Sequence, residues 1–466
     1  MKTLEMFGWL SIARLGFIQA CMGAIVVVTT STLNRIMVVE LALPALLPGF
    51  LVGFHYMVQM VRPLMGYGAD QGRRCTPWMM GGMMVLAIGG LLASVSTVLM
   101  GIDLIYGIAL SIVAFLCIGL GVSACGTSLL VLMSKRVPEV RRAPAATAVW
   151  MMMIVGFAVT AITVGQILDP YSPKRLIEIS AYLSAAVVLI TGLCLWGLEG
   201  YSSNETLIYE QLDEYEVEFI SNTATVTSQK QNFKQVLASV WSEPQAKAFT
   251  VFVFLSMLAY SSQDLILEPF AGVLFGLAPG ETTQLSGLHH TAVLCGMLAV
   301  AFAGMERVAG RLGSIQSWMV GGCLVSGIAM LGLCVSGIVG PPWPLKANVF
   351  LLGVANGSFS IAAIATMMRL ATQDGEKRAG TRMGLWGASQ AIAFGLGGLL
   401  GTGASDLAHY FVNSQGLAYA CVFGFEAVMF VMSAGCAVWV GRYDKQDVSV
   451  RRQSTGRIAK ELSHEY

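Results

Sequence analysis

The sequence predicts an all-α integral membrane protein of twelve transmembrane helices, arranged as two pseudo-symmetric six-helix bundles. Three observations predict this: an apolar composition, a regular succession of long apolar runs, and an internal repeat. The 466-residue chain is 55% hydrophobic and only 12% charged, with a mean hydropathy of +0.69. Soluble domains carry about 25% charged residues, and so apolar a chain lacks the polar surface to cover itself in water. The net charge of +1 leaves no basic excess to neutralise phosphates, which excludes nucleic acid as a partner.

A hydrocarbon layer of roughly 30 Å needs about twenty apolar residues per helix. Such runs fall at 12–34, 45–63, 78–100, 104–133, 145–168, 178–198, 248–270, 285–304, 316–338, 346–368, 381–403 and 416–441. Turn-forming residues separate them, among them Pro44, Asp169-Pro170, Pro279-Gly280 and Pro341-Pro342. With both termini in the cytoplasm, only Arg35, Lys174, Arg175 and Lys346 of the 28 Lys and Arg fall outside cytoplasmic loops, tails and helix ends. That bias sets the orientation. The N-terminus shows no cleavable signal. Residues 1–198 form the first bundle and 247–441 the second, with a cytoplasmic tail at 442–466. Between the bundles, 199–246 is a polar linker, acidic at first, in which Phe233, Val236, Leu237, Val240 and Trp241 recur at helical spacing. An amphipathic helix lying on the bilayer surface is the expectation there.

The loop after the second run reads Gly66-Tyr67-Gly68-Ala69-Asp70-Gln71-Gly72-Arg73-Arg74. It resembles the G-x-x-x-D-x-G-R-[KR] signature of the major facilitator superfamily, so Gly66, Asp70, Gly72, Arg73 and Arg74 are candidate loop residues. The corresponding loop of the second half, from Gly304 to Arg311, keeps the Gly and Arg spacing but has Val308 in place of the Asp. A second echo places Trp150 and Trp386 each eight residues after an arginine, Arg142 and Arg378. Repeats of this kind are typical of transporter folds.

The first run ends Leu33-Asn34-Arg35-Ile36-Met37-Val38-Val39-Glu40-Leu41, and its repeat mate ends Gln263-Asp264-Leu265-Ile266-Leu267-Glu268-Pro269-Phe270. These segments resemble the L-N-R-x-M-x-V-E-L and Q-D-x-x-L-E-P-[FY] motifs of the PucC family, a branch of that superfamily from phototrophic bacteria. The resemblance implies an assembly factor for light-harvesting antennae in the bacterial inner (intracytoplasmic) membrane. It implies bacteriochlorophyll as a ligand, and antenna polypeptides and bacteriochlorophyll-synthesis enzymes as partners beside the lipid bilayer. No nucleotide loop or catalytic grouping is present, so the expectation is a protein that is not an enzyme.

Bacteriochlorophyll needs an apolar slot and usually an imidazole ligand for its magnesium. His55 on span two, with Gln59 on the same face, and His289 and His290 on span eight are the candidates; a hydrogen bond to a neighbouring helix, the commoner reason for such a histidine, is the alternative for each. Arg35 pairing with Asp264 or Glu268 across spans one and seven is the candidate polar gate, separate capping of each charge being the alternative. Glu426 is the deepest isolated carboxylate, and no site for a free metal ion is expected. Two other functions stay open: a secondary transporter moving a small solute by alternating access, and a pigment-free scaffold docking through the linker and the basic tail. The scattered cysteines and the methionine clusters read as helix packing, as do the glycine stripes of spans four and eleven.

Overall fold

The computed structural model describes residues 7–62, 74–199, 241–303, 313–372 and 379–462. Its helices are α1 (Trp9–Glu40), α2 (Leu46–Val61), α3 (Thr76–Met100), α4 (Leu104–Arg136), α5 (Glu139–Leu168), α6 (Pro173–Leu195), α7 (Pro244–Phe275), α8 (Pro279–Ala303), α9 (Ile315–Val339), α10 (Leu345–Thr372), α11 (Ala379–Phe411) and α12 (Gln415–Leu462). Eleven are long and apolar enough to cross a membrane, and α2 is the shorter apolar one. Each falls where an apolar run predicts it. The largest difference is α12, which continues in helix to Leu462 instead of ending near 441. No proline interrupts 442–462, and its Lys, Arg, Gln and Glu residues are good helix formers.

Local chemistry sets the helix starts. Asp103 accepts the amides of Ile105 and Tyr106 at 3.0 and 3.2 Å to open α4. Ser172 and Ser314 cap α6 and α9 in the same way. Proline occupies the first turn of α3, α6 and α7, where its missing N–H costs nothing. Gly276 ends α7 at φ +65°, a conformation other residues rarely adopt.

Packing repeats with an offset of six helices. In the first half α1 lies on α5 and α6, α2 on α4, and α3 on α4 and α6. In the second, α7 lies on α11 and α12, α8 on α10, and α9 on α10 and α12. Two buried apolar clusters result, one in each half. Large apolar side chains such as Ile88, Leu193, Ile328 and Ile338 cover the outside, while Ser94, Ser96, Ser111 and Ser180 are buried. Ser94 pairs with Ser180 at 2.6 Å and Ser111 donates to Ser96 at 2.8 Å, tying α6 and α4 to α3. An apolar exterior over small polar interhelical bonds is the packing expected in lipid, where apolar burial between helices gives no drive. This is a multi-pass helical membrane protein built of two similarly packed six-helix halves.

The halves meet along α2–α11 and α5–α8, seams related by the same offset. Both are built on small residues. A Cβ on Gly53 would meet the Gly395 carbonyl at 3.1 Å, and one on Gly165 would meet the Gly280 carbonyl at 2.6 Å. At the bundle end away from the termini, Asp406 of α11 accepts the amides of Ala45 and Leu46 at 2.9 and 2.7 Å, capping α2 from across the seam. No comparable contact joins α4 or α5 to α10 or α11 among the described residues. The halves are therefore sealed at the distal end.

Gly165→Ala is expected to lower the thermal midpoint in mild detergent, because overpacking against backbone costs about 1–3 kcal/mol. Gly424→Ala on α12, whose Cβ would meet nothing within 4 Å, is the matched control and should leave the midpoint unchanged.

Candidate functional site

The distal seal is organised by a proline. Pro269 sits inside α7 and has no N–H to offer the carbonyl of Leu265, four residues earlier. Asn34 of α1 supplies the missing donor, its Nδ2 reaching that carbonyl at 2.6 Å. The next residue, Arg35, donates from Nη2 to the Leu277 carbonyl just beyond α7 at 2.8 Å and lies against Gly272, where a Cβ would be 2.9 Å away. Ser31 pairs with Ser286 at 2.8 Å and Thr32 with Thr283 at 3.1 Å, bringing α8 into the same knot. Four of the five successive α1 side chains from Ser31 to Arg35, all but Leu33, thus bond to the second half.

The backbone of α1 is adapted to this task. It widens into π turns over Val28–Thr32 and Ile36–Glu40, on either side of Asn34 and Arg35. Thr29 and Thr30 hydroxyls bond back to the Val26 carbonyl at 2.8 and 3.0 Å, competing with the regular ladder where the first widening begins. π turns are frequent where a helix serves function.

The expected gate pairing takes a different form. Arg35 makes its ion pair with Glu40 of its own helix, Nη1 to Oε1 at 2.5 Å, and not with Asp264 or Glu268. The π turn between them places residue 40 rather than a helix-spaced neighbour beside the guanidinium. Glu268 is buried with neither carboxylate oxygen hydrogen-bonded. The hydroxyls of Ser31, Thr282 and Ser286 stand around it, and Arg35 lies within Coulombic range. Asp264, one turn earlier, keeps partial exposure.

Asp264 belongs to a second group at the junction of the halves. Tyr56 of α2 stacks on Phe394 of α11 at 5.3 Å between centroids, and Tyr260 of α7 meets Phe394 edge-on at 6.1 Å. Both tyrosines lie within Coulombic range of Asp264. All four side chains are half-buried although their helices are central, so they line a cleft below the seal.

The histidines stand behind the cleft aromatics, His55 against Tyr56 at 4.1 Å between centroids and His289 against Tyr260 at 6.4 Å. His55 is buried, with Nδ1 on the Val52 carbonyl at 2.6 Å and its ring packed between Tyr56 and Phe115 of α4. The α-helical step of 100° turns Tyr56 to the cleft and His55 toward α4. His289 faces Asn356 of α10 at 3.5 Å, and Asn356 accepts from Ser326 of α9 at 2.8 Å. His290 holds the Ser286 carbonyl at 2.8 Å and packs on Phe157 of α5 at 5.0 Å. Gln59 is buried and accepts from Arg62 at 2.5 Å. Arg74 immediately precedes α3; Gly66, Asp70, Gly72 and Arg73 lie outside the described residues, as does most of the linker.

The family model of PUCC proteins matches residues 32–443, a span that opens on the α1 segment of the seal. The chain belongs to the PUCC protein family. It is 46% identical over 435 residues to a Rhodobacter capsulatus protein named bacteriochlorophyll synthase 44.5 kDa chain, covering 93% of this chain and 96% of the relative. To protein PucC of Rhodobacter capsulatus it is 27% identical, covering 91% of each. Among solved structures, a proton-dependent oligopeptide transporter superposes with a TM-score of 0.67 at 14% identity, over 93% of this chain and 99% of that one. That likeness establishes the fold alone.

Seen on a PUCC protein, the two motif segments are halves of one joint: Asn34 and Arg35 from one, Pro269 and the residues flanking it from the other. The aromatic trio carries no such sequence signal. Its members sit on three helices without common spacing, and only the adjacency of Tyr56 to His55 hinted at the place.

Asn34→Ala should cost about 1–3 kcal/mol of stability by leaving the Leu265 carbonyl buried and unpaired. In a Pro269→Ala background the helix recovers its own donor, so the same substitution should cost much less. A thermal double-mutant cycle in detergent measures the difference; equal costs in both backgrounds would refute the plug.

Proposed function

We propose that this protein is a non-enzymatic membrane assembly factor for photosynthetic light-harvesting complexes, binding or delivering bacteriochlorophyll in support of pigment synthesis and antenna assembly. The observation that carries the reading is the cleft walled by Tyr56, Tyr260 and Phe394. Three rings from three helices offer flat apolar contact to a planar macrocycle, at about 0.5–1.5 kcal/mol per ring pair beyond simple burial. The Asp264 carboxylate and the two phenol hydroxyls supply the few polar groups that orient a ligand in an apolar pocket. Family membership, and the likeness to a relative named for bacteriochlorophyll synthesis, support the ligand class.

On this reading the magnesium pigment is cargo, and the protein acts by holding it away from water. His55 offers a single ring nitrogen, Nε2, because Nδ1 is taken by Val52. Packed toward α4, it serves better to brace Tyr56 than to ligate magnesium. Antenna polypeptides and pigment-synthesis enzymes are the proposed partners, and a bacterial inner membrane with both termini cytoplasmic the proposed setting. The cleft then opens toward the cytoplasm, where a delivered pigment would be received.

Purified in mild detergent from a phototrophic host, the wild-type protein is expected to carry a near-infrared band. Phe394→Ala should lower the bound pigment about two- to tenfold, in line with the lost ring contacts, and His55→Leu should lower it less. A colourless preparation that still retains antenna polypeptides would replace this reading with the scaffold. A colourless preparation without partners would replace it with solute transport.

A further inference from the structure

We propose that Glu268 is a proton-binding site whose occupancy holds the distal seal shut, so that proton release from it opens the protein at that end. The inference concerns the seal and does not depend on pigment binding in the cleft.

The charge count around the seal is short of one positive charge. Glu268 is 1% exposed, with both carboxylate oxygens unpartnered. Its one basic neighbour, Arg35, is already neutralised by Glu40 at 2.5 Å and committed to the Leu277 carbonyl. A lone buried carboxylate is far too costly to keep charged. The groups facing it from each packed helix supply no second positive charge. From α1 come Ser31 and Arg35; from α8 come Thr282 and Ser286; from α7 itself comes Asp264. Beyond Asp264 stands Glu426 of α12, also fully buried with both oxygens unpartnered. Tyr56 and Tyr260 face Asp264, and Tyr171, in the loop after α5, faces the Arg35–Glu40 pair.

A proton on Glu268 removes the deficit and turns the carboxylate into a donor, with three hydroxyl oxygens around it to accept. The nearby guanidinium disfavours an alkali cation in the same place. Half-exposed Asp264, one turn along α7, lies on the way from the cleft to Glu268. When Glu268 releases its proton, its negative charge competes with Glu40 for Arg35. Arg35 then leaves Leu277, and the α1–α7–α8 knot loses its anchor.

Spin labels at Ile102 and Tyr410, both 83% exposed on distal loops or helix ends of opposite halves, report the opening. The full-length protein is labelled in lipid nanodiscs after exchange of exposed Cys295 and Cys421 for Ser. Between about pH 5 and about pH 9 the long-distance population is expected to rise at least about twofold in wild type. In Glu268→Gln, which keeps the shape of the protonated acid, it should stay short throughout. Glu178→Gln on the exposed face of α6 should behave as wild type. A wild type without pH response, or a response that persists in Glu268→Gln, would overturn the proposal. A shift produced by sodium at constant pH and lost in Glu268→Gln would also overturn it, reassigning the site to an alkali cation.

Discussion

One backbone carbonyl sets the terms for the rest of this protein. A proline inside a membrane helix leaves an acceptor with no donor in its own helix, and the bilayer offers no water to replace it. Here the missing donor comes from the other half of the molecule, as the side chain of Asn34. The defect in α7 is thereby converted into a bond that only the closed distal end can make. Around it collect Arg35, the paired hydroxyls of α1 and α8, and the close glycine contacts of the two seams. Opening that end must leave Leu265 unsatisfied or find it another partner, so closure is specified by hydrogen bonding as much as by packing.

The two halves share a packing plan and differ in what they contribute at the joint. In α1, Asn34 and Arg35 act as donors across the seam, whereas α7 supplies the orphaned carbonyl and the buried acids. An exact internal repeat would place like groups against like across the pseudo-symmetry axis. Divergence of the repeat mates into complementary partners is what lets them bind one another.

The fold was legible because lipid imposes a strict length on each helix, and the apolar runs report it almost residue by residue. α2 reads as clearly as the others although it is the shortest, since Pro44 precedes its apolar run in the sequence and the glycine-rich Gly66-Tyr67-Gly68 stretch follows it. The candidate site was legible only in part. Asn34, Arg35, Glu268 and Pro269 stand out as polar or helix-breaking residues in apolar runs, so their importance is visible in the sequence. Their partners are not: the bond from Asn34 goes to a backbone atom, and sequence carries no mark of which carbonyl a proline has orphaned. Arg35 finding Glu40 depends on a π turn that no periodicity announces. The cleft aromatics look like ordinary membrane residues until three helices bring them together.

The wide turns of α1 bear on how such a joint can move at all. A π turn holds one residue more than an α turn for the same hydrogen-bonded closure. Passing that extra residue along the chain advances everything beyond it by about 1.5 Å and rotates it by about 100°, with the helix ladder re-formed at each step. Two such turns flank the residues that grip α7. The grip can therefore be released by a screw motion confined to a few residues, without bending the helix or breaking its ends, and the stiff body of α1 stays in place while its tip lets go.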